Sequence, residues 1–191
     1  MTTDALMLGL TAETAIHAGA SSANHVIDLP IMREHHTGWP VVFGSAVKGA
    51  FRALGEQKLE TDMVAALYGP DTRNASDHAG SLLISDARLL LLPVRSLTTQ
   101  FRYVTSPDLI KRWLRDRARA GLVSPDVAIE SPDDQTALVC SGQTDRDLFL
   151  EEFAYGCESS SALDELIGLL AEISGRSESE LRQKLTLVND N

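Results

Sequence analysis

Hydrophobic positions recur with two periods along this chain. Leu6, Leu8 and Leu10 alternate with Met7, Gly9 and Thr11, and β-branched residues follow, so a period of two predicts a strand over residues 5–16. The small and polar run from His17 to Asn24 predicts a loop, and residues 25–31 a short extended piece that ends in a turn over residues 33–38. From Ser45 the period changes to that of a helix. Ala46, Val47, Ala50, Phe51 and Leu54 share one face, with Ser45 as the expected cap. A second helix is predicted over residues 61–68, stopped by Gly69-Pro70, and an exposed, mobile loop over 71–80. Residues 81–94 are apolar enough for a buried strand, with Asp86 and Arg88 pairing inside it.

Ser106-Pro107-Asp108 is a helix start: a cap, a proline at the first position and an acid in the first turn. Leu109, Ile110, Trp113, Leu114 and Ala118 form its apolar stripe. Lys111, Arg112, Arg115, Arg117 and Arg119 make the remainder a basic, solvated face, and Gly121 ends it. Strands are predicted over 135–140 and 146–153, helices over 163–173 and 177–184, and a last strand from Leu185. This mixture predicts an α+β sandwich, with helices on one face of a sheet, in a single domain spanning 1–191.

Charge alters that picture in one respect. The formal net charge is -10, which argues against nucleic acid until its distribution is seen. Residues 1–120 hold 13 Lys/Arg against 12 Asp/Glu, whereas residues 121–191 hold 4 against 15. The acidity belongs to the C-terminal part, and the near-neutral remainder is free to gather a basic groove for phosphates. No apolar run reaches the roughly 18 residues of a membrane span. Residues 1–10 lack the pattern of a secretory leader, and the expected location is the cytoplasm. Cys140 and Cys157 lack CxxC spacing and read as reduced thiols.

Candidate chemistry concentrates before residue 53. Gly44-Ser-Ala-Val-Lys-Gly49 is not a Walker loop, because Lys48 precedes Gly49. It still offers helix N-terminal amides to an anion, and Lys48 and Arg52 lie four residues apart on one face. The alternative is an ordinary exposed basic helix. Asp28, in an apolar extended stretch, either pairs with Arg33 or serves as a site carboxylate that holds Mg²⁺ or orients a ribose hydroxyl. His17 is either structural or an acid–base group. Arg95 either touches a backbone phosphate or stabilises its turn. The histidines and cysteines lack zinc-site spacing.

These segments, taken in order, resemble a known family. Ile16-His-Ala-Gly-Ala-Ser-Ser22, with Val26-Ile-Asp-Leu-Pro-Ile-Met-Arg-Glu-His-His-Thr-Gly-Trp-Pro40, resembles the N-terminal signature of the RAMP backbone subunit of type III-B CRISPR (Cmr) effectors. Phe43-Gly-Ser-Ala-Val-Lys-Gly-Ala-Phe-Arg52 is similar to its helix signature. Residues 79–96, Tyr103-Val-Thr-Ser-Pro107 and Phe149-Leu-Glu-Glu-Phe153 match later parts of the pattern.

The resemblance implies an RRM-like, ferredoxin-type RAMP fold with helical insertions and an inserted thumb-like loop. It implies copies lined along a guide RNA beside other Cmr subunits. Complementary target RNA would be cut at regular intervals with Mg²⁺ or another divalent cation, leaving 2′,3′-cyclic phosphate ends. Asp28 would be the essential cleavage residue and the metal's holder, with His17 in a lesser, positional role. Gly44, Ser45, Lys48, Gly49 and Arg52 would contact the guide backbone, with Arg33 and Arg95 as further RNA contacts. The alternatives are a non-catalytic RNA-binding subunit of the same complex and a guide-processing endonuclease using His17 as base. The resemblance also implies a further stretch of sheet and another glycine-rich loop after about residue 189, where this sequence stops.

Overall fold

The computed structural model describes residues 4–19, 30–71, 78–143 and 147–190. Two compact units emerge, residues 14–89 in one and residues 1–13 with 90–191 in the other.

The larger unit holds most of the core. Six strands, β3 (Leu92–Ser96), β4 (Gln100–Thr105), β5 (Thr136–Val139), β6 (Asp147–Leu150), β7 (Phe153–Ser159) and β8 (Leu185–Leu187), form a closed barrel. Its order is β3-β4-β8-β5-β7-β6, closed by Ser96 of β3 against Leu150 of β6. β4 with β8 and β5 with β7 run parallel, and the other pairs antiparallel. Three helices, α3 (Pro107–Arg119), α4 (Ser161–Ser174) and α5 (Glu178–Lys184), accompany it. The α+β class is as the sequence implies, but the sheet curls until it closes.

Strand alternation divides the apolar residues into two cores. Tyr103, Cys140, Leu185 and Leu187 face helix residues such as Ile110, Trp113, Leu166, Leu170 and Leu181. Ala137, Leu148 and Leu150 gather with Val94, Val104, Tyr155, Cys157 and Val188 in a second cluster.

Arg102 is fully buried. Its Nη2 donates to Gln143 Oε1 and, at 3.1 Å, to Gln183 O, while Gln143 Nε2 donates to Arg182 O at 2.6 Å. A cation thus meets the last carbonyls of α5, where the helix dipole favours one. At the other end of α5, Ser177 Oγ accepts from Glu180 N at 3.1 Å.

The basic face expected on α3 is only partly solvated. Arg112 and Arg117 are buried, and Ala118, assigned to the apolar stripe, is exposed. Arg117 lies over the Trp113 ring at 5.3 Å from its centroid, and its guanidinium donates to Val123 O and Ser124 Oγ. A guanidinium can pack flat on an indole while its edge hydrogen-bonds, which a hydropathy pattern does not register.

The smaller unit contains β1 (Val41–Val42), α1 (Gly44–Lys58), α2 (Thr61–Tyr68) and β2 (Ala87–Arg88), with β1 antiparallel to β2. The strand expected over 81–94 is therefore two strands, β2 and β3, in different units. Leu83, within that stretch, is 86% exposed. A second expectation also fails. Residues 5–16 form no strand, because no neighbouring strand pairs with them among the described residues.

Candidate nucleic-acid interface

The sequence places its phosphate-binding candidates at the start of α1, and the structure shows how that start is built. Ser45 is not the cap. Phe43 occupies that position, and no side chain of the capping residue satisfies the first turn. Asp86 does so from a distant part of the chain, its Oδ1 accepting from Gly44 N at 2.8 Å. Ala46 N and Val47 N donate to Phe43 O. Gly44 is required by crowding, since a Cβ there would sit 2.4 Å from Ile84 O and 2.9 Å from Ser85 O. The anion expected at this helix N-terminus is thus the protein's own carboxylate.

The buried face of α1 is also rotated from the expected one. Gly44, Val47 and Gly55 are buried and Phe51 half-buried, whereas Ala46, Ala50 and Leu54 are exposed. Glycines let the backbone itself approach its neighbours, and hydropathy ranks them below alanine and leucine. Over its first turns the outward face is small and uncharged, with Ser45, Ala46, Gly49, Ala50 and Ala53, and exposed Glu56 and Gln57 follow in the last turn. Nothing lies within 4 Å of a Cβ built on Gly49.

Lys48 and Arg52 share a face as the spacing requires, and both also serve the fold. Lys48 Nζ donates to Leu82 O at 2.9 Å. An ammonium has three N–H groups, so this bond positions Lys48 without exhausting it. Arg52 Nη1 donates to Gly69 O and Pro70 O, each at 3.0 Å, and Arg52 Nε to Glu56 Oε1 at 2.9 Å. Arg52 therefore clamps the chain leaving α2. Opposite it, Ser81 N and Leu82 N cap the Ala66 and Leu67 carbonyls of the same helix. Sequence reasoning missed Asp86 as the partner of α1. The available signal was an acid at the edge of an apolar run that follows a glycine-led helix.

Arg33 stands in a turn where Glu34 N donates to Trp39 O and Gly38 N to Glu34 O. Its Nη1 donates to Gly38 O at 2.8 Å, and Gly38 adopts φ +73°. His35 and His36 are exposed on that turn, and His17 is exposed on its own segment. Arg95 is exposed on β3, and its carbonyl accepts from Glu151 N. Asp28, with His25, lies outside the described residues. Among the described residues, no three His, Cys, Asp or Glu side chains gather as a metal site. One carboxylate with water and substrate phosphate oxygens is an ordinary magnesium environment, so a metal held at Asp28 needs no such triad.

The RAMP superfamily family model matches residues 9–178. The chain belongs to the RAMP superfamily. Over 153 residues it is 37% identical to the protein named CRISPR system Cmr endoribonuclease Cmr4 from Pyrococcus furiosus, a match covering 78% of this chain and 52% of that one. This RAMP chain thus spans about half the length of that curated relative. The crystal structure of oligomeric Cmr4 from Pyrococcus furiosus superposes with a TM-score of 0.73 at 29% identity, over 84% of this chain and 64% of that one. A cryo-EM structure titled Type III-B Cmr-beta bound to cognate target RNA matches with a TM-score of 0.62 at 19% identity, over 91% of this chain and 62% of that one. That last likeness concerns the fold alone. Among the described residues, no helix of this RAMP protein is long and apolar enough to cross a membrane.

Proposed function

We propose that this RAMP protein is a backbone subunit of a type III-B CRISPR effector, binding guide RNA and cleaving complementary target RNA in antiviral defence. The observation that carries the reading is the 37% identity over 153 residues to a Cmr endoribonuclease Cmr4. The small, uncharged outward face of the first turns of α1 supports it, because a sugar-phosphate backbone can approach such a face closely.

RNA carries its own nucleophile, the 2′-hydroxyl beside the scissile phosphate. Holding one nucleotide unstacked aligns that hydroxyl for in-line attack, and positioning supplies much of the rate. Asp28 accepts the hydroxyl proton or orients the ribose. Lys48, steadied by Leu82 O, meets charge on the phosphate. A divalent cation held by Asp28 would supply further charge neutralisation at that phosphate. The P–O5′ bond breaks as the 2′-O–P bond forms, the departing 5′ oxygen takes a proton from water, and the products carry 2′,3′-cyclic phosphate and 5′-hydroxyl ends. His17 has a positional role, and Arg33 and Arg95 add contacts to RNA. Copies of the chain and other Cmr subunits complete the assembly in the cytoplasm.

The test is reconstitution with guide RNA and partner subunits, followed by complementary RNA and Mg²⁺. A ladder of regularly spaced cuts with cyclic phosphate ends is expected, and Asp28→Ala abolishes it while guide binding persists. Cuts ending in 3′-hydroxyls defeat the mechanism. Guide binding by the unmodified chain with no ladder would point to a non-catalytic RNA-binding subunit of the same complex instead.

A further inference from the structure

A cavity of about 310 Å³ opens on the larger unit beside the start of α4, a volume within the range of small-molecule sites. Strand register builds its floor. Leu187 of β8 lies opposite Leu138 of β5, which lies opposite Glu158 of β7, so three side chains form one row across the helix-backed side of the barrel. Leu163 of α4, fully buried, adds to the apolar wall. Exposed Glu130 and Glu158 and half-buried Ser160 supply the polar wall. None of these three side chains joins a hydrogen bond or an ion pair among the described residues. Other acids of this unit do find a base: Asp164 pairs with Arg182 at 2.9 Å and Glu180 with Lys184 at 3.8 Å.

We propose that this cavity binds a primary alkylammonium ion. Its aliphatic stem lies over the leucine floor, and its N–H groups donate to Glu130, Glu158 and the Ser160 hydroxyl. Apolar and anionic walls side by side match a cation on a hydrocarbon stem. Residues 121–191 hold 15 Asp/Glu against 4 Lys/Arg, so the surrounding field also draws a cation. The start of α4 by itself favours an anion, but its roughly half charge is outweighed by two full carboxylates. A hydrated metal ion fits poorly, because leucines line one side and no third His, Cys, Asp or Glu gathers with the two carboxylates among the described residues. A free linear amine and a lysine side chain of another protein carry the same chemistry. The site is separate from α1 and independent of guide binding and RNA cleavage.

The probes are putrescine and lysine blocked at both its α-amino and carboxyl groups, each titrated into the 191-residue chain and followed by calorimetry and by amide chemical shifts. Saturable binding is expected, with shifts confined to the strand ends and helix start around residues 138, 158–163 and 187 and to the segment at Glu130. Glu130→Gln and Glu158→Gln are each expected to weaken binding about tenfold, as for loss of one charge-assisted hydrogen bond, with the unfolding midpoint unchanged. Butanol, which keeps the stem without the charge, and ammonium, which keeps the charge without the stem, should each bind at least roughly tenfold more weakly. Tighter binding of putrescine assigns the cavity to a free amine, and tighter binding of blocked lysine assigns it to a protein side chain; both support the alkylammonium chemistry. No saturable binding of either probe overturns the proposal. So does unchanged affinity in both glutamine variants, ammonium binding as tightly as putrescine, or shifts that lie elsewhere on the chain.

Discussion

At the scale of single residues, α1 contains a sharp internal contrast. Gly44 and Gly49 lie on one helix, yet the first has carbonyl oxygens where a Cβ would go and the second has open space. Gly44→Ala is expected to cost about 2 kcal/mol through overpacking against backbone. Gly49→Ala is expected to gain up to about 1 kcal/mol from helix propensity. Urea unfolding of both variants checks the pair, and equal effects would refute the placement of α1. Arg102 is a second single-residue case. Replacing it with alanine leaves Gln143 and the Gln183 carbonyl short of a donor in a buried site, at an expected cost of about 3 kcal/mol. Sequence reading found α1 within a residue or so of its start but misplaced its buried face. It gave Arg102 no role, because a lone arginine in an apolar strand carries no periodic signal.

At the scale of elements, capping and titration provide the tests. Ser177→Ala removes the one side-chain cap of α5 and should cost about 1 kcal/mol, measured by the shift in urea midpoint. Cys140, fully buried at the end of β5, has its thiol pKa pushed up to about 11, first by burial and then by Asp164. The raised value means that the folded state favours the protonated thiol. Its contribution is complete below the ordinary thiol range, where both states are protonated, and is lost as pH rises through about 11. Comparing the parent with Cys140→Ala across that window isolates the effect. The parent should lose more stability on alkalinisation, and parallel curves would show that the thiol is not desolvated. Asp133 acts at the acid end. Hydrogen bonds from Thr136 and from the Gln135 amide lower its pKa, so its small favourable contribution is present above the ordinary carboxylate range and lost as pH falls. Helices α2, α3, α4 and α5 lie close to where periodicity and capping residues predict, because those signals act within a few residues.

At the scale of the whole molecule, the two units differ in how much core each holds. The larger has an extensive helix-backed cluster and a second one among its strands. In the smaller, the buried hydrophobic side chains among the described residues are Val41, Val47 and Val64. Amides of α1 and α2 are therefore expected to exchange faster than those of α4 and β8, read residue by residue in native hydrogen exchange. Uniform protection would contradict a thin core. The sequence alone determined the class of the chain, most of its helices, and the motifs that mark it as a RAMP protein. Each of these depends on residues near one another along the chain, or on motifs that can be matched directly. Only the tertiary structure decided that the apolar run at 81–94 belongs to two units, that Asp86 occupies the start of α1, and that the strand-like N-terminal segment stands unpaired. These outcomes depend on which distant backbone meets which, and neither alternation nor composition encodes that encounter.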